Sequence, residues 1–290
     1  TADPDKFALT TSPDEIEAIT AAGKIALPMG MENGAPVQED IVLLDYFYER
    51  GIRYISLAHS RANLLSDSSY DINRPNDGLS ALGYKVVKRM NELGIIVDVS
   101  HISDDAFWDT MEFTDVPVMA SHSSARHFTA GFERNLSDDM IRRIALEEGV
   151  VMINFGSSFL KNDWGEWRNK YRAASTKYFA EQDINDPTDE QEEMFQKKYV
   201  TEHPRPFADI SDVLDHIDHV VRIAGIDHVG LGSDFDGVGD SLPTNLKDPS
   251  DLPKLVQGLI DRGYSEEDIR KILSGNALRV WRAVESAATK

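Results

Sequence analysis

The stretch "IIVDVSH" (95–101) is an apolar run that ends in a histidine, and an amphipathic segment follows it. Residues that are apolar on both faces are typical of a parallel strand buried on both sides of a sheet. Five further runs of this kind occur along the chain, at 24–32, 52–59, 117–124, 150–156 and 228–235. The stretch therefore belongs to a strand–helix unit that recurs along the chain.

The segments between these runs carry helix start signals. Ser12 is followed three residues later by Glu15, which is the pattern of a capping box. Ser137 and Ser265 stand in the N-cap position of further amphipathic segments. Strands that alternate with helices predict parallel βαβ units. Because no Rossmann-type glycine loop accompanies them, the sequence favours an α/β fold of the (β/α)₈ TIM-barrel type over a doubly wound sheet.

The composition excludes several classes of protein. The chain has 290 residues, and we predict a single domain over 1–290. Its 50 acidic and 30 basic residues give a net charge of −20, and such a surface repels nucleic acids. The absence of cysteine excludes disulfides and thiolate metal sites. No apolar stretch approaches about 20 residues, so no membrane span is predicted. No signal peptide is visible either.

Residues 157–207 interrupt the strand–helix rhythm. This segment is charged, aromatic and partly helical, and it contains no strand-like run. A long insertion after a barrel strand lies on the face where active sites form. Two interpretations stay open: a helical decoration, or a lid in which Trp164, Trp167 and Tyr171 contact the site.

The strand-like runs end in residues that bind metals. Glu32, His59, His101, His122 and Asp234 each stand at the end of one run. In a barrel these positions converge on one mouth. A single histidine at a strand end is more often structural, but three at consecutive strand ends, together with two carboxylates, indicate a metal site.

The remaining histidines are interpreted as structural. His216 and His219 lie within a predicted helix, His127 in a loop and His203 in the insertion. His228 begins a strand-like run, at the opposite end of the barrel from the predicted site.

Six motifs in this order resemble the membrane (renal) dipeptidase family of zinc peptidases, which have amidohydrolase-type barrels. They are "MGMENG" (29–34), "DVSHISDDAF" (98–107), "ASHSSAR" (120–126), "RNLSDDMIRRIA" (134–145), "GIDHVGLGSDFDG" (225–237) and "SGNALRVW" (274–281). The resemblance runs from about residue 20 to the end of the chain and is weakest in 157–207.

The resemblance implies roles for the metal-binding residues. Glu32 resembles the carboxylate that bridges two zinc ions in this family. His101 and His122 resemble the two histidines that bind one of those ions. The implied cofactor is therefore a pair of zinc ions.

The resemblance also implies catalytic and substrate-binding residues. Asp234 resembles the acid/base at the last strand end, and His59 resembles the histidine that contacts the substrate and polarises the scissile carbonyl. Arg134 resembles the residue that binds the substrate's terminal carboxylate. The substrates would be dipeptides, hydrolysed by a metal-bridging hydroxide.

Alternatives remain open at this level. The chain resembles enzymes that are often exported or membrane-anchored, and a homodimer is compatible with the resemblance. A barrel metallohydrolase for another amide or ester, such as an N-acyl amino acid or a lactone, would carry the same metal site. A non-catalytic relic is the third hypothesis.

The third hypothesis comes from a departure from the family pattern. The family's second zinc is bound by a His-x-Asp pair on the first barrel strand, and no such pair precedes Glu32. Six strand-like runs also leave two of eight barrel strands unaccounted for. We therefore expect that the first two strands are missing from this sequence, either by truncation or by natural loss.

Overall fold

Seven β-strands form one parallel sheet in the computed structural model, which describes residues 3–289. The strands are β1 (Phe7–Thr10), β2 (Ile25–Met31), β3 (Ile52–Ser56), β4 (Ile96–Asp98), β5 (Met119–Ala120), β6 (Val150–Ile153) and β7 (Val229–Leu231). Each strand pairs with the next one along the chain, so β1 and β7 are the two edges of the described sheet. Sequential parallel strands joined by helices form a TIM-like barrel arrangement, and the predicted fold class is confirmed.

Helices follow the strands along the chain. The α-helices are α1 (Pro13–Ala21), α2 (Leu43–Glu49), α3 (Ala81–Leu93), α4 (Asp104–Phe113), α5 (Asp138–Leu146), α6 (Ser157–Leu160), α7 (Asn162–Ala180), α8 (Asp189–Glu202), α9 (Ile210–Ala224), α10 (Leu252–Asp261), α11 (Glu266–Arg270) and α12 (Asn276–Ala287). Short 3₁₀ turns lie at Ala35–Val37, Arg126–Phe128, Ile226–His228, Gly239–Ser241 and Pro249–Asp251, and a π-helical turn lies at Lys271–Gly275. None of the helices within residues 3–289 has the length and apolarity that a membrane crossing requires.

The sequence interpretation missed one strand. β1 pairs with β2 in parallel, with Phe7 opposite Ile25. Its sequence, "FALT", gives no apolar run of useful length, and Leu9 within it is 50% exposed. The described residues therefore supply seven strands rather than six, and the expected shortfall from an eight-stranded barrel is one strand instead of two.

The predicted helix starts are confirmed. Ser12 and Glu15 form a reciprocal capping box at α1. Ser137 accepts a hydrogen bond from the backbone of Met140 at the start of α5, and Ser265 does the same for Asp268 at α11. Such a cap contributes about 1 kcal/mol to helix stability.

Alternating residues of the strands build two hydrophobic layers. Val97 and Val151 point outward and join the large core beneath the helices. Their neighbours Ile96 and Val150 point inward and pack with Trp281 of α12. The side-chain period of two in a strand produces this division. Burying one such aliphatic side chain stabilises the fold by roughly 1.5–3 kcal/mol.

The last helix, α12, covers the amino ends of the strands. Arg279 Nη2 donates to the carbonyl of Asp227, just before β7, at 2.7 Å, and Nη1 donates to the carbonyl of Glu148, before β6, at 2.5 Å. Asn276 Nδ2 donates to the Val229 carbonyl within β7 at 2.8 Å. One end of the sheet is thereby closed, so the accessible end is the one at which the strands finish.

The insertion at 157–207 is a helical segment held together by aromatic rings. Trp167 stacks on Tyr171 of the same helix, α7, with ring centres 5.5 Å apart. Tyr171 in turn meets Tyr199 of α8 edge to face at 5.4 Å, and Trp164 lies 5.9 Å from Trp167. Trp167 and Tyr171 therefore hold α7 against α8, whereas Trp164 packs on Trp167 and on Phe207, which follows α8.

Candidate metal centre

The predicted site residues follow the carboxyl ends of five different strands. Glu32 comes directly after β2, and His59 follows β3 by three residues. His101 follows β4, His122 follows β5 and Asp234 follows β7. Because all strands are parallel, these residues lie at the same end of the sheet, opposite α12.

Glu32 and three histidines converge on one point. Glu32 Oε1 lies 2.9 Å from His101 Nε2 and 3.1 Å from His122 Nε2. It lies 3.7 Å from His59 Nε2, and the Nε2 atoms of His101 and His122 are 2.8 Å apart. We call these four residues the strand-end cluster. A carboxylate oxygen and imidazole nitrogens that face one another in this way are a donor set that zinc binds.

Ser121 and Asp98 orient the ring of His122. Ser121 Oγ lies 2.6 Å from His122 Nδ1 and donates to Asp98 Oδ2 at 2.5 Å. A hydroxyl has one proton, and here it goes to the carboxylate, so Nδ1 of the histidine is the donor to Oγ. The lone pair of Nε2 is therefore free for a metal ion, which is the arrangement that metal-binding histidines usually have.

His101 is buried and neutral. Burial lowers its pKa to about 3, so the ring carries no charge at neutral pH. Its Nδ1 is buried without a hydrogen-bond partner among the described residues. Contacts with His101 and His122 hold the pKa of Glu32 well below its usual range, so this carboxyl group is ionised. An ionised carboxylate and neutral imidazoles are the forms that bind metal ions.

Two site residues have backbone angles that side chains rarely adopt. The φ angle is +73° at His101 and +56° at Asp234. Such conformations cost about 1–3 kcal/mol each and are frequent at functional sites. Hydrogen bonds hold both turns: the His101 carbonyl accepts from Ser69 N at 2.8 Å, and the Asp234 carbonyl accepts from Gly237 N at 3.0 Å. The left-handed conformation changes the direction of the chain at these two residues, shortly after the strands end.

A second group of histidines lies among the helices. We call His127, Asp138, His216 and His219 the helix cluster. His219 Nε2 is 2.7 Å from Asp138 Oδ1, and the ring of His127 stacks on that of His219 at 4.4 Å. Arg222 Nη2 donates to His219 Nδ1 at 2.5 Å. Because arginine is only a donor, Nδ1 must accept, and the proton of His219 lies on Nε2, where it blocks a metal.

His216 uses both ring nitrogens on the backbone. Its Nδ1 accepts from the Ala125 amide at 3.0 Å, and its Nε2 donates to the Leu160 carbonyl at 3.2 Å. The ring thus connects the loop after β5 to the end of α6, as the structural interpretation of this residue predicts. His228 likewise contacts the Gly149 carbonyl, at 2.9 Å from Nδ1.

Comparison with known proteins assigns the chain to a family. The family model of the membrane dipeptidases, peptidase family M19, matches residues 1–290. The chain belongs to this family.

Two curated relatives in the membrane dipeptidase family are uncharacterized dipeptidases of Schizosaccharomyces pombe. One is 34% identical over 278 residues, covering 95% of this chain and 57% of the relative. The other is 31% identical over 283 residues, covering 97% of this chain and 59% of the relative. The chain thus spans less than two thirds of the length of these relatives.

Solved structures of similar proteins share the fold. The probable dipeptidase PvdM from Pseudomonas aeruginosa is 30% identical, with a TM-score of 0.84 over 98% of this chain and 76% of that chain. A metallopeptidase from Rhodobacter sphaeroides, crystallised with a phosphinate mimic of the dipeptide L-Ala-D-Ala, is 26% identical. Its TM-score is 0.77, over 98% of this chain and 70% of that chain.

Arg134, which resembles the family's carboxylate-binding arginine, is almost completely buried. Its Nη1 donates to Ser123 Oγ at 2.6 Å, and its Nη2 donates to the His122 carbonyl at 2.9 Å. Its Nε is buried without a partner, and the guanidinium forms no ion pair with a carboxylate within residues 3–289. Burial lowers the pKa of Arg134, and its side chain touches the loop that carries one of the strand-end histidines.

Asp234 faces the same cavity as the strand-end cluster. A cavity of about 450 Å³ is lined by Glu32, His122 and Asp234 and continues toward Trp281 in the interior of the sheet. Asp234 Oδ1 lies close to the backbone of Gly237, and a Cβ atom added to that glycine would lie 1.9 Å from Oδ1. Glycine at 237 leaves room for the carboxylate in this orientation, and Asp236, between the two residues, is exposed to solvent.

The sequence interpretation missed Asn154, which positions Asp234. Asn154 follows β6, and its Nδ2 donates to Asp234 Oδ2 at 2.9 Å. Its Oδ1 accepts from the Gly156 amide at 2.7 Å, which fixes the orientation of the amide. Its position could have identified it. A site residue was predicted at the end of every strand from β2 to β7 except β6, and Asn154 follows β6.

Proposed function

We propose that this protein is a zinc-dependent dipeptidase. The observation that carries the proposal is the convergence of Glu32 Oε1 with the Nε2 atoms of His59, His101 and His122. Atoms that bear lone pairs repel one another at such distances unless a proton or a cation lies among them. His122 holds its proton on Nδ1, and a proton on His101 Nε2 can serve only one of its two short contacts, to Glu32 or to His122. The contact of 3.1 Å between Glu32 Oε1 and His122 Nε2 then has no proton, so a cation is the partner that this geometry favours.

Glu32, His101 and His122 would hold the metal. Zinc at this site would supply a Lewis acid and a nucleophilic hydroxide at neutral pH. All the short contacts of Glu32 use Oε1, so its Oε2 is available to a second ion, as the family resemblance implies. His59, which is more exposed than the other two histidines, would donate a hydrogen bond to the scissile carbonyl oxygen and stabilise the oxyanion.

Asp234 is proposed as the acid/base. Its carboxylate would accept the proton of the attacking water and deliver it to the leaving amine. Asn154 orients the carboxylate through its hydrogen bond to Oδ2, and the missing side chain of Gly237 leaves room for Oδ1. Support comes from the cavity that it shares with Glu32 and His122.

Arg134 is proposed to bind the substrate's α-carboxylate. A buried guanidinium without a counter-ion is costly, and an anionic ligand removes that cost. Its unpartnered Nε can donate to a carboxylate oxygen while both Nη atoms keep their present partners. This role favours substrates with a free carboxylate next to the cleaved bond, which includes dipeptides and N-acyl amino acids but excludes simple lactones.

The test combines metal analysis with a substrate panel on the full-length protein. We expect zinc to copurify and a dipeptide such as Ala-Ala to be hydrolysed faster than N-acetyl-alanine or a lactone. Two zinc ions per chain would support the bridging role of Glu32, and one ion would contradict it. Faster hydrolysis of the N-acyl amino acid or of the lactone would contradict the assignment as a dipeptidase and identify that compound class as the substrate. Absence of both zinc and hydrolysis would indicate a non-catalytic protein.

A further inference from the structure

A second cavity lies beside the metal centre, at the start of the inserted helices. It has a volume of about 300 Å³ and is bounded by the loop 129–132 on one side and by α7 on the other. Phe132, Lys161, Glu166 and Arg168 are among its lining residues. We call it the outer pocket.

A chain of aromatic rings connects the outer pocket to the strand-end cluster. The ring of Phe132 lies 6.2 Å from that of Tyr70, and the ring of Tyr70 lies 5.9 Å from that of His101. Phe132 thus belongs to the wall of the outer pocket, while Tyr70 touches a residue of the metal centre. The two spaces are therefore neighbours.

The charges of two arginines act on the Tyr70 hydroxyl. The guanidinium groups of Arg134 and Arg168 both lie close enough to this hydroxyl for their charges to act on it, and so do the carboxylates of Glu32 and Asp234. Arg134 donates to Ser123 Oγ and to the His122 carbonyl beside the metal centre, whereas Arg168 belongs to α7 and lines the outer pocket. An anionic ligand that extends from the metal centre toward the outer pocket would therefore be attracted by both cationic groups.

Arg168 is the cationic side chain of the outer pocket that has no carboxylate partner within residues 3–289. Lys161 already lies 3.9 Å from the carboxylate of Asp212. Arg168 is exposed, and within residues 3–289 it forms neither a hydrogen bond nor an ion pair with a carboxylate, Glu166 included. The guanidinium is therefore free to bind an anion that enters from solvent.

We propose that the outer pocket binds the side-chain carboxylate of an acidic C-terminal residue, so that the enzyme prefers dipeptides ending in Asp or Glu. This inference rests on the proposed function, because the α-carboxylate of the same residue would be bound by Arg134. Arg168 would form a charge-assisted pair with the side-chain carboxylate. Phe132 would pack against the methylene groups that separate the two carboxylates.

Local contact, and not the general field of the protein, must produce such a preference. The net charge of −20 repels an acidic substrate more than its neutral analogue. A dipeptide that ends in Asp would therefore bind more weakly than one ending in Asn unless a cationic side chain contacts it. Asp and Asn have nearly the same shape, so this comparison isolates the charge.

The experiment measures kcat/KM for Ala-Asp and Ala-Asn with the full-length zinc-loaded protein and its Arg168→Gln variant. We expect the wild type to favour Ala-Asp by about 10-fold, in line with one charge-assisted hydrogen bond. The ratio should fall to about one in Arg168→Gln. The matched control is Arg172→Gln, one turn further along α7 and outside the outer pocket. It removes the same charge and should keep the wild-type ratio.

Equilibrium binding separates this inference from the proposed function. Titration calorimetry of Ala-Asp and Ala-Asn on the same preparations should show the same preference and the same dependence on Arg168. If no dipeptide is hydrolysed but this binding preference is present, the dipeptidase assignment is wrong, whereas the outer pocket still binds the acidic side chain as proposed. A binding ratio near one in the wild type, a ratio unchanged by Arg168→Gln, or a preference for Ala-Lys would overturn the inference.

Discussion

The strand-end cluster and the helix cluster contain the same kinds of residue but differ in where each ring proton lies. In the strand-end cluster, Ser121 Oγ accepts a hydrogen bond from His122 Nδ1, and the lone pair of Nε2 faces Glu32. In the helix cluster, Arg222 donates to Nδ1 of His219 and forces its proton onto Nε2. Histidine and carboxylate in contact are therefore not sufficient for a metal site. The hydrogen-bond partner of Nδ1 decides whether Nε2 carries the proton or has a lone pair that can bind a metal ion.

The largest expected difference between the two clusters appears when the carboxylate of each one is replaced by its amide. Glu32→Gln should weaken zinc binding by more than about 100-fold, which exceeds the usual cost of losing a residue that only supports a ligand. Asp138→Asn should leave zinc content unchanged. Metal analysis of both purified variants, with circular dichroism as the folding control, checks this. Equal zinc loss in the two variants would remove the distinction between the clusters.

Asp234→Asn should lower kcat at least about 100-fold while zinc stays bound. The amide retains the size of the side chain but cannot accept the proton from water. Dipeptide kinetics, a zinc assay and a melting curve on one preparation measure this effect. Near-normal turnover, or unfolding that accounts for the lost rate, would contradict the acid/base role.

Ser121→Ala tests the proton position directly. The variant deprives His122 Nδ1 of its acceptor and should weaken zinc binding by roughly 10- to 100-fold. Arg222→Gln is its counterpart in the helix cluster and should leave the zinc affinity of the strand-end cluster unchanged. Competition with a chelator of known affinity gives both values. An unaltered zinc affinity in Ser121→Ala would show that the hydroxyl does not orient the ligand.

The smallest effect concerns the stability that the helix cluster provides. Burial lowers the pKa of His216 to about 4, below the ordinary value of 6.5. As the pH falls below about 6.5, the unfolded chain binds a proton that the folded chain does not, so stability decreases with falling pH. Between pH 6.5 and 5.5 the loss should be on the order of 1 kcal/mol.

His216→Gln should remove that part of the pH dependence while leaving zinc content intact. Urea unfolding of the wild type and the variant at both pH values provides the measurement. Identical pH profiles would show that another group causes the acid sensitivity. A loss of zinc in His216→Gln would mean that the helix cluster supports the metal centre after all.

The strands with apolar runs were predictable, and the short edge strand was not. Buried parallel strands need apolar residues on both faces, and that requirement marks β3 to β7 in the sequence. β2 also has an apolar run, although none of its residues is fully buried. β1 has one buried residue, Thr10, and an exposed Leu9, so its pairing with β2 leaves no mark in the pattern. The strands also end earlier than the apolar runs do, because residues such as His101 turn away in a left-handed conformation.

The candidate ligands were predictable for the same reason, whereas their supporting residues were not. Charged or imidazole side chains at the ends of apolar runs are unusual enough to be noticed. Asn154 and Ser121 are common polar residues, and their importance depends on distances of 2.9 Å and 2.6 Å that only the folded chain provides. The packing of Trp167 and Tyr171 within the inserted helices likewise depends on α8, which contacts them only in the folded chain.

The closure of the sheet by α12 also constrains how the chain folds. Arg282 and Glu285 of this last helix contact Asp14 and Ser12 near the start of the chain, 268 and 273 residues away. Contacts between such distant residues form slowly, because a long loop must close first. The inward-facing core remains uncovered until Trp281 docks, so a nascent or partly folded chain exposes it. Folding of this protein should therefore depend strongly on concentration and temperature, with aggregation as the competing process.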